Sequence, residues 1–232
     1  MKSYKITPDT AVGEIVTENF RTAEIFKNVG IDFCCGGKGS LKDACTSSGN
    51  DLNIIMAELQ DKMNSGIGEG RNFKDWDLGF LCDYICNSHH KFVLKNLPEL
   101  AFYTQKVANV HGSQHAELIE VADLFAKINT ELLEHLKKEE ENLFPAIKSV
   151  LKNNDSASRE IIKHEIKRMS DEHEFAGGAM DHINVLTSNY RIPEDACNTY
   201  KVCLQLLSQF EDDLHIHVHL ENNILYPKAL LL

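Results

Sequence analysis

His135 and Glu139 stand four residues apart in HLKKEEENLFP (135–145), and His217 and Glu221 repeat that spacing in HVHLENNILYP (217–227). On an α-helix a four-residue step returns to the same face about 5.4 Å along the axis, so each pair can aim an imidazole and a carboxylate at one point. That donor pair suits iron, zinc or manganese, and does not suit calcium or magnesium. Each pair also lies in an apolar stripe. Val121, Leu124, Ile128 and Leu132 precede His135, with Leu143 and Ala146 beyond it; Leu206, Phe210 and Leu214 precede His217, with Ile224 and Leu225 beyond it. A carboxylate in such a stripe is costly to bury unless a cation meets it. The two pairs therefore read as half-sites of a metal centre in a helical core.

Two more histidines complete the pattern. His173 continues the stripe Ile162, Ile166, Met169 and precedes Ala176, Gly177 and Met180. His89 and His90 compete in an earlier helix; the 44-residue step from His173 to His217 and the 45-residue step from His90 to His135 select His90. The predicted ligand set is His90, His135, Glu139, His173, His217 and Glu221. Four imidazoles with two carboxylates imply two metal ions, each Glu able to bridge both, and carboxylate bridging with open coordination positions favours iron. His111 and His115 are also four apart, but Gly112 and the surrounding turn weaken a shared helical face; they are substitutes for the assigned ligands. His215 and His219 alternate around His217 and read as solvated. Glu131 reads as an outer carboxylate or a rim residue. The runs EEE (139–141) and EDD (211–213) read as mostly solvated faces, Glu139 excepted.

Positioning these side chains takes helices, and strand signals are absent. Four long helical patterns span about 75–110, 113–151, 156–189 and 194–231, with a kink or break expected at Pro98 and a first-turn proline at Pro193. HGS near 111, NNDSAS near 153 and RIPED near 191 separate them. Four such helices with short connections predict an all-α antiparallel four-helix bundle. Ahead of it, Val12, Ile15, Val16, Ala23, Phe26, Val29, Ile55, Met56, Leu59 and Met63 recur at helical spacing between turn-rich stretches. These predict a small helical domain over 1–65, joined by the Gly/Ser/Asn-rich linker NSGIGEGRN (64–72) to the bundle over 73–232.

The small domain contains GIDFCCGGKGSLKDAC (30–45), in which Cys34 and Cys35 adjoin two glycines. Adjacent cysteines seldom pair without strain. Two readings stand: thiols that take up iron, exchange disulfides or react with nitric oxide, or a turn with one buried cysteine. Seven unevenly spread cysteines argue against a disulfide frame. The net charge of -11, with no basic stripe, argues against nucleic acid. No apolar run reaches the roughly 18 residues of a membrane span, and the N-terminus lacks a signal-peptide core, which points to the cytoplasm.

GIDFCCGG, HLKKEEENLFP and HLENNILYP, in that order, resemble the hallmarks of the iron-sulfur cluster repair di-iron family, across nearly the whole chain. The resemblance implies an N-terminal ScdA-type domain followed by a hemerythrin-like bundle. It implies a non-haem di-iron centre on His90, His135, Glu139, His173, His217 and Glu221, bridged by the two glutamates. It further implies repair of iron-sulfur clusters damaged by nitrosative or oxidative stress, by donated iron, in a homodimer with damaged iron-sulfur proteins as clients. A hemerythrin-like carrier or sensor of oxygen or nitric oxide, or a nitric oxide reductase, are the alternative expectations.

Overall fold

The computed structural model describes residues 4–64 and 73–232. Beyond Asn64, the linker read from the sequence lies outside the described residues. The chain forms two compact units, Met1–Leu81 with Val218–Leu232, and Cys82–His217. Among the described residues there is no strand beyond an isolated bridge between Ala11 and Ser40, and no helix is long and apolar enough to cross a membrane.

In the first unit, α1 (Val12–Glu18), α2 (Ala23–Asn28), α3 (Leu41–Ser48) and α4 (Leu52–Asn64) are short helices. They are set by local signals rather than by length. The Ser40 hydroxyl caps α3 by accepting from the Asp43 N–H, and Gly49 ends it in the left-handed region at φ 71°. Val12, Ile15, Val16, Phe26, Leu41 and Leu59 fill the interior. Phe73 closes it, edge-on to Phe20 at 5.3 Å and to Trp76 at 4.7 Å.

Helix α5 (Leu78–Ile85) leads through a π-helical turn (Cys86–His90) into α6 (Lys91–His111). Next come α7 (Glu117–Lys138), a second π turn (Glu139–Leu143) and α8 (Phe144–Asn153). After α9 (Ser156–Leu186), α10 (Asn198–Leu220) runs into a third π turn (Glu221–Leu225) and α11 (Tyr226–Ala229). Asp155 caps α9 by accepting from the Ala157 N–H, just after Asn154 has ended α8 in the left-handed region at φ 55°. The helices of the second unit pack through Phe125, Ile128, Leu132, Met169, Leu207 and Phe210; Phe125 meets Phe210 edge-on at 5.6 Å, joining α7 to α10.

The break expected at Pro98 is absent, because α6 runs through it unbroken. Pro98 removes one hydrogen bond to the carbonyl of Leu94, and both residues are exposed, so water can take the freed carbonyl. The departures from α geometry fall instead on the three π turns. Two of them directly precede Phe144–Pro145 and Tyr226–Pro227, where the missing proline N–H and the bulk of its ring favour a wider turn.

Candidate metal centre

The π turns carry the site. His90 ends the first, Glu139 opens the second and Glu221 opens the third. An inserted residue widens the helix locally and turns side chains out of the regular register, which is why such turns recur at functional sites. All three residues are fully buried, and His135, His173 and His217 are 1–2% exposed. His135 comes from α7, His173 from α9 and His217 from α10, whose helix continues unbroken to Glu221 one turn on.

The candidate donor atoms of the second unit fall into two groups that share Glu139. His90, Glu139 and His217 form one; His135, Glu139 and His173 form the other; within each, the atoms lie within 4.8 Å of one another. Oε2 of Glu139 is 3.3 Å from Nε2 of His90 and 3.3 Å from Nε2 of His135, midway between the groups. Nε2 of His173 approaches Nε2 of His135 to 3.0 Å. The His90 and His217 ring centroids are 5.0 Å apart.

The far sides of two rings are fixed. Nδ1 of His90 meets the Glu140 carboxylate at 2.7 Å, and Nδ1 of His135 meets Glu172 at 2.8 Å. A proton on Nδ1 leaves Nε2 as a lone-pair donor facing inward, the arrangement typical of metal-binding imidazoles. Lys138 holds the other Glu172 oxygen at 2.7 Å. Burial pushes the Glu172 carboxyl up, but His135 and Lys138 outweigh it and bring it to about 2, so it is ionised. Burial likewise opposes ionisation of Glu139, yet His135 and His90 hold its carboxyl well below the usual carboxylate range. A fully buried carboxylate among four buried imidazoles, two of them backed by further acids, is a donor set that fits a transition-metal cation.

Several residues stand elsewhere than the sequence suggests. Glu131 is exposed, which fits its reading as a rim residue, and the acids behind the rings are Glu140, itself exposed in the EEE run, and Glu172 from α9. In the EDD run Glu211 is 5% exposed and accepts from the Asn184 amide. Asp213 meets Nδ1 of His89 at 3.0 Å, and the His89 ring is stacked on His217 at 5.5 Å. His219 is fully buried, not solvated; its ring lies 5.7 Å from Phe33 and 6.1 Å from Phe20, and burial lowers it to about 4, leaving it neutral at pH 7.

His111 and His115 belong to a different cluster. His115 faces Asp195 at 3.1 Å and Glu117 at 3.2 Å. Nε2 of His111 lies 3.2 Å from Sγ of Cys197 at the start of α10, about 30 Å along that helix from His217. Hydrogen bonds from the Tyr200 N–H and from His111 bring the Cys197 thiol down to about 7, whereas burial pushes Cys203 up to about 12. Alkylation of Cys197 is therefore expected to reach half its limiting rate near pH 7, with Cys203 unreactive at neutral pH. Peptide mass spectrometry across a pH series checks it; a midpoint near the ordinary value of 9 contradicts it.

In the first unit Cys34 and Cys35 form no disulfide. Cys34 is 4% exposed, its Sγ 3.1 Å from Oδ1 of Asp32 and 3.9 Å from Sγ of Cys35, which is partly exposed. The adjacent Cys35 sulfur, burial and the Asp32 carboxylate raise the Cys34 thiol well above its ordinary value, so Cys34 is protonated. The second glycine after this pair serves close packing. A Cβ on Gly37 would come 2.6 Å from the Phe33 carbonyl oxygen.

Two family models match the chain: the ScdA_N domain, a domain of unknown function, over residues 8–63, and the hemerythrin HHE cation-binding domain over residues 84–229. The first span contains Cys34 and Cys35, the second all six buried histidine and glutamate donors. The iron-sulfur cluster repair protein ScdA of Staphylococcus epidermidis is 35% identical over 225 residues, covering 97% of this chain and 99% of the relative. The iron-sulfur cluster repair protein YtfE of Dickeya chrysanthemi is 33% identical over 225 residues, covering 96% and 97%. A probable iron-sulfur cluster repair protein of Haemophilus influenzae is 38% identical over 210 residues, covering 89% and 90%. With an ScdA-type domain ahead of a hemerythrin cation-binding domain, and relatives of this kind along nearly its whole length, the chain belongs to the ScdA and YtfE family of iron-sulfur cluster repair proteins.

Proposed function

We propose that the protein repairs damaged iron-sulfur clusters by donating iron from a two-ion centre on His90, His135, Glu139, His173, His217 and Glu221. The observation that carries this reading is the pair of donor groups sharing Glu139, with Glu221 fully buried one turn beyond His217. When bound, the ions supply a store of iron in a nitrogen and oxygen environment. Imidazole and carboxylate hold iron less tightly than the thiolates and sulfides of a cluster, so transfer towards sulfur runs downhill. Cys34 and Cys35 serve as the relay. Each thiol must lose its proton to take an ion, and the protonated, buried Cys34 makes Cys35 the first contact. Clients are proteins with nitrosatively or oxidatively damaged clusters. The work is done in the cytoplasm, where seven cysteines without disulfides are expected to stay reduced. A pure carrier or sensor of oxygen or nitric oxide would need no thiol-bearing module.

Mixing the iron-loaded protein with a cluster-damaged dehydratase tests this. Client activity is expected to return in step with iron lost from the protein, and recovery without iron loss contradicts donation. Replacing Cys34 and Cys35 together by Ser is expected to slow repair while leaving the iron content unchanged; an unchanged repair rate removes the relay.

A further inference from the structure

Asn223 stands two residues beyond Glu221 on the same π turn. Its side-chain amide faces the main chain of the thiol loop. Nδ2 donates to the carbonyl oxygen of Cys34 at 3.1 Å and lies 3.3 Å from that of Phe33 and 3.2 Å from Nδ1 of His219. His219 lies beside it, its Nδ1 3.4 Å from the same Phe33 carbonyl. Two glycines make the approach possible. A Cβ on Gly37 would come 2.9 Å from Oδ1 of Asn223, and one on Gly13 would collide with the same amide. The Gly13 N–H donates to the Gly37 carbonyl at 2.7 Å, closing the loop against α1.

The loop is thus held on two sides by different chemistry. Its N–H groups are gathered from within by Asp32, whose carboxylate accepts from Cys34 at 2.8 Å, Cys35 at 3.1 Å and Gly36 at 2.6 Å. Its carbonyls are held by Asn223, nearly two hundred residues further along the chain. Asp32 can shape the loop but cannot tie it to anything else.

We propose that Asn223 is a positioning residue for the thiol pair, fixing the Phe33 and Cys34 carbonyls so that Cys34 stays buried and Cys35 is presented. The residue that fixes the thiols and the carboxylate Glu221 then share one helical turn. This inference rests on the reading of Cys34 and Cys35 as an iron relay for its meaning, though its geometry is independent of that reading.

The test uses the full-length, iron-loaded protein and its variants Asn223→Asp and Asn223→Ala. Asp keeps the shape but sets an acceptor against two carbonyls; Ala removes the donor without adding charge. Native-state alkylation of each cysteine with iodoacetamide is followed by peptide mass spectrometry, with iron content measured alongside. Cys45, in α3 of the same unit and 1% exposed, is the internal control. In the parent protein Cys35 is expected to react much faster than Cys34. In both variants Cys34 is expected to react about ten-fold faster than in the parent, as its loop opens more readily once these hydrogen bonds are lost. Cys45 and the iron content are expected to stay as they are. An unchanged Cys34 rate overturns the inference, and so does a rise shared equally by Cys45, which marks general loosening. If neither variant folds, Gly37→Ala, whose Cβ meets the loop and Asn223 together, is read against the same criteria. Faster Cys34 labelling with repair at the parent rate leaves the role of Asn223 standing and overturns the relay instead.

Discussion

Glu139→Gln is expected to weaken iron binding by about 10²–10⁴-fold, because it removes a negative charge common to both donor groups while keeping its shape. Taking one partner from a buried ionic arrangement costs about 3–5 kcal/mol, which sets that range. The exchange also removes the carboxylate that His135 and His90 meet, so each protein is referred to its own iron-free melting temperature. The parent's melting temperature is expected to rise with the logarithm of free ferrous iron, and that of Glu139→Gln to rise only at much higher iron. Equal rises across an iron titration would mean that Glu139 binds no metal.

The second large effect is on the outer carboxylates. Glu172→Gln and Glu140→Gln remove the acids behind His135 and His90, and losing such a partner weakens metal binding by about 10–100-fold. The two should not be equal. The Glu172 side chain is 17% exposed and also bound by Lys138, whereas that of Glu140 is 45% exposed and screened by water. Competition with a chelator is expected to place Glu172→Gln as the weaker binder, with Glu140→Gln between it and the parent. Parent-like affinity in both would show that the rings do not depend on these acids for their orientation, and the reverse order would contradict the ranking by burial.

Periodicity made the helices and the placing of His135, His173 and His217 in buried stripes legible, because a histidine inside an apolar stripe stands out whatever its partners. The π turns left no such mark. One added residue shifts the phase of a helix only locally, and the prolines that follow two of these turns read equally well as ordinary helix breaks. Glu172 was illegible for a different reason: it reaches His135 from another helix, and nothing local to α9 marks it. His219 was misread because alternation assumes one buried face. At the end of α10 the chain belongs to the N-terminal unit, and Phe20 and Phe33 cover a side that an isolated bundle helix would expose. Asn223 carried no signal at all, since its partners are main-chain carbonyls whose nearness depends on Gly13 and Gly37.

Counting the ions tests most directly whether six side chains hold two iron ions between them. Protein loaded anaerobically with excess ferrous iron, freed of unbound metal and analysed for iron and protein together is expected to retain two ions per chain. A content far below two, under conditions in which the protein is fully folded, would contradict the shared-carboxylate centre.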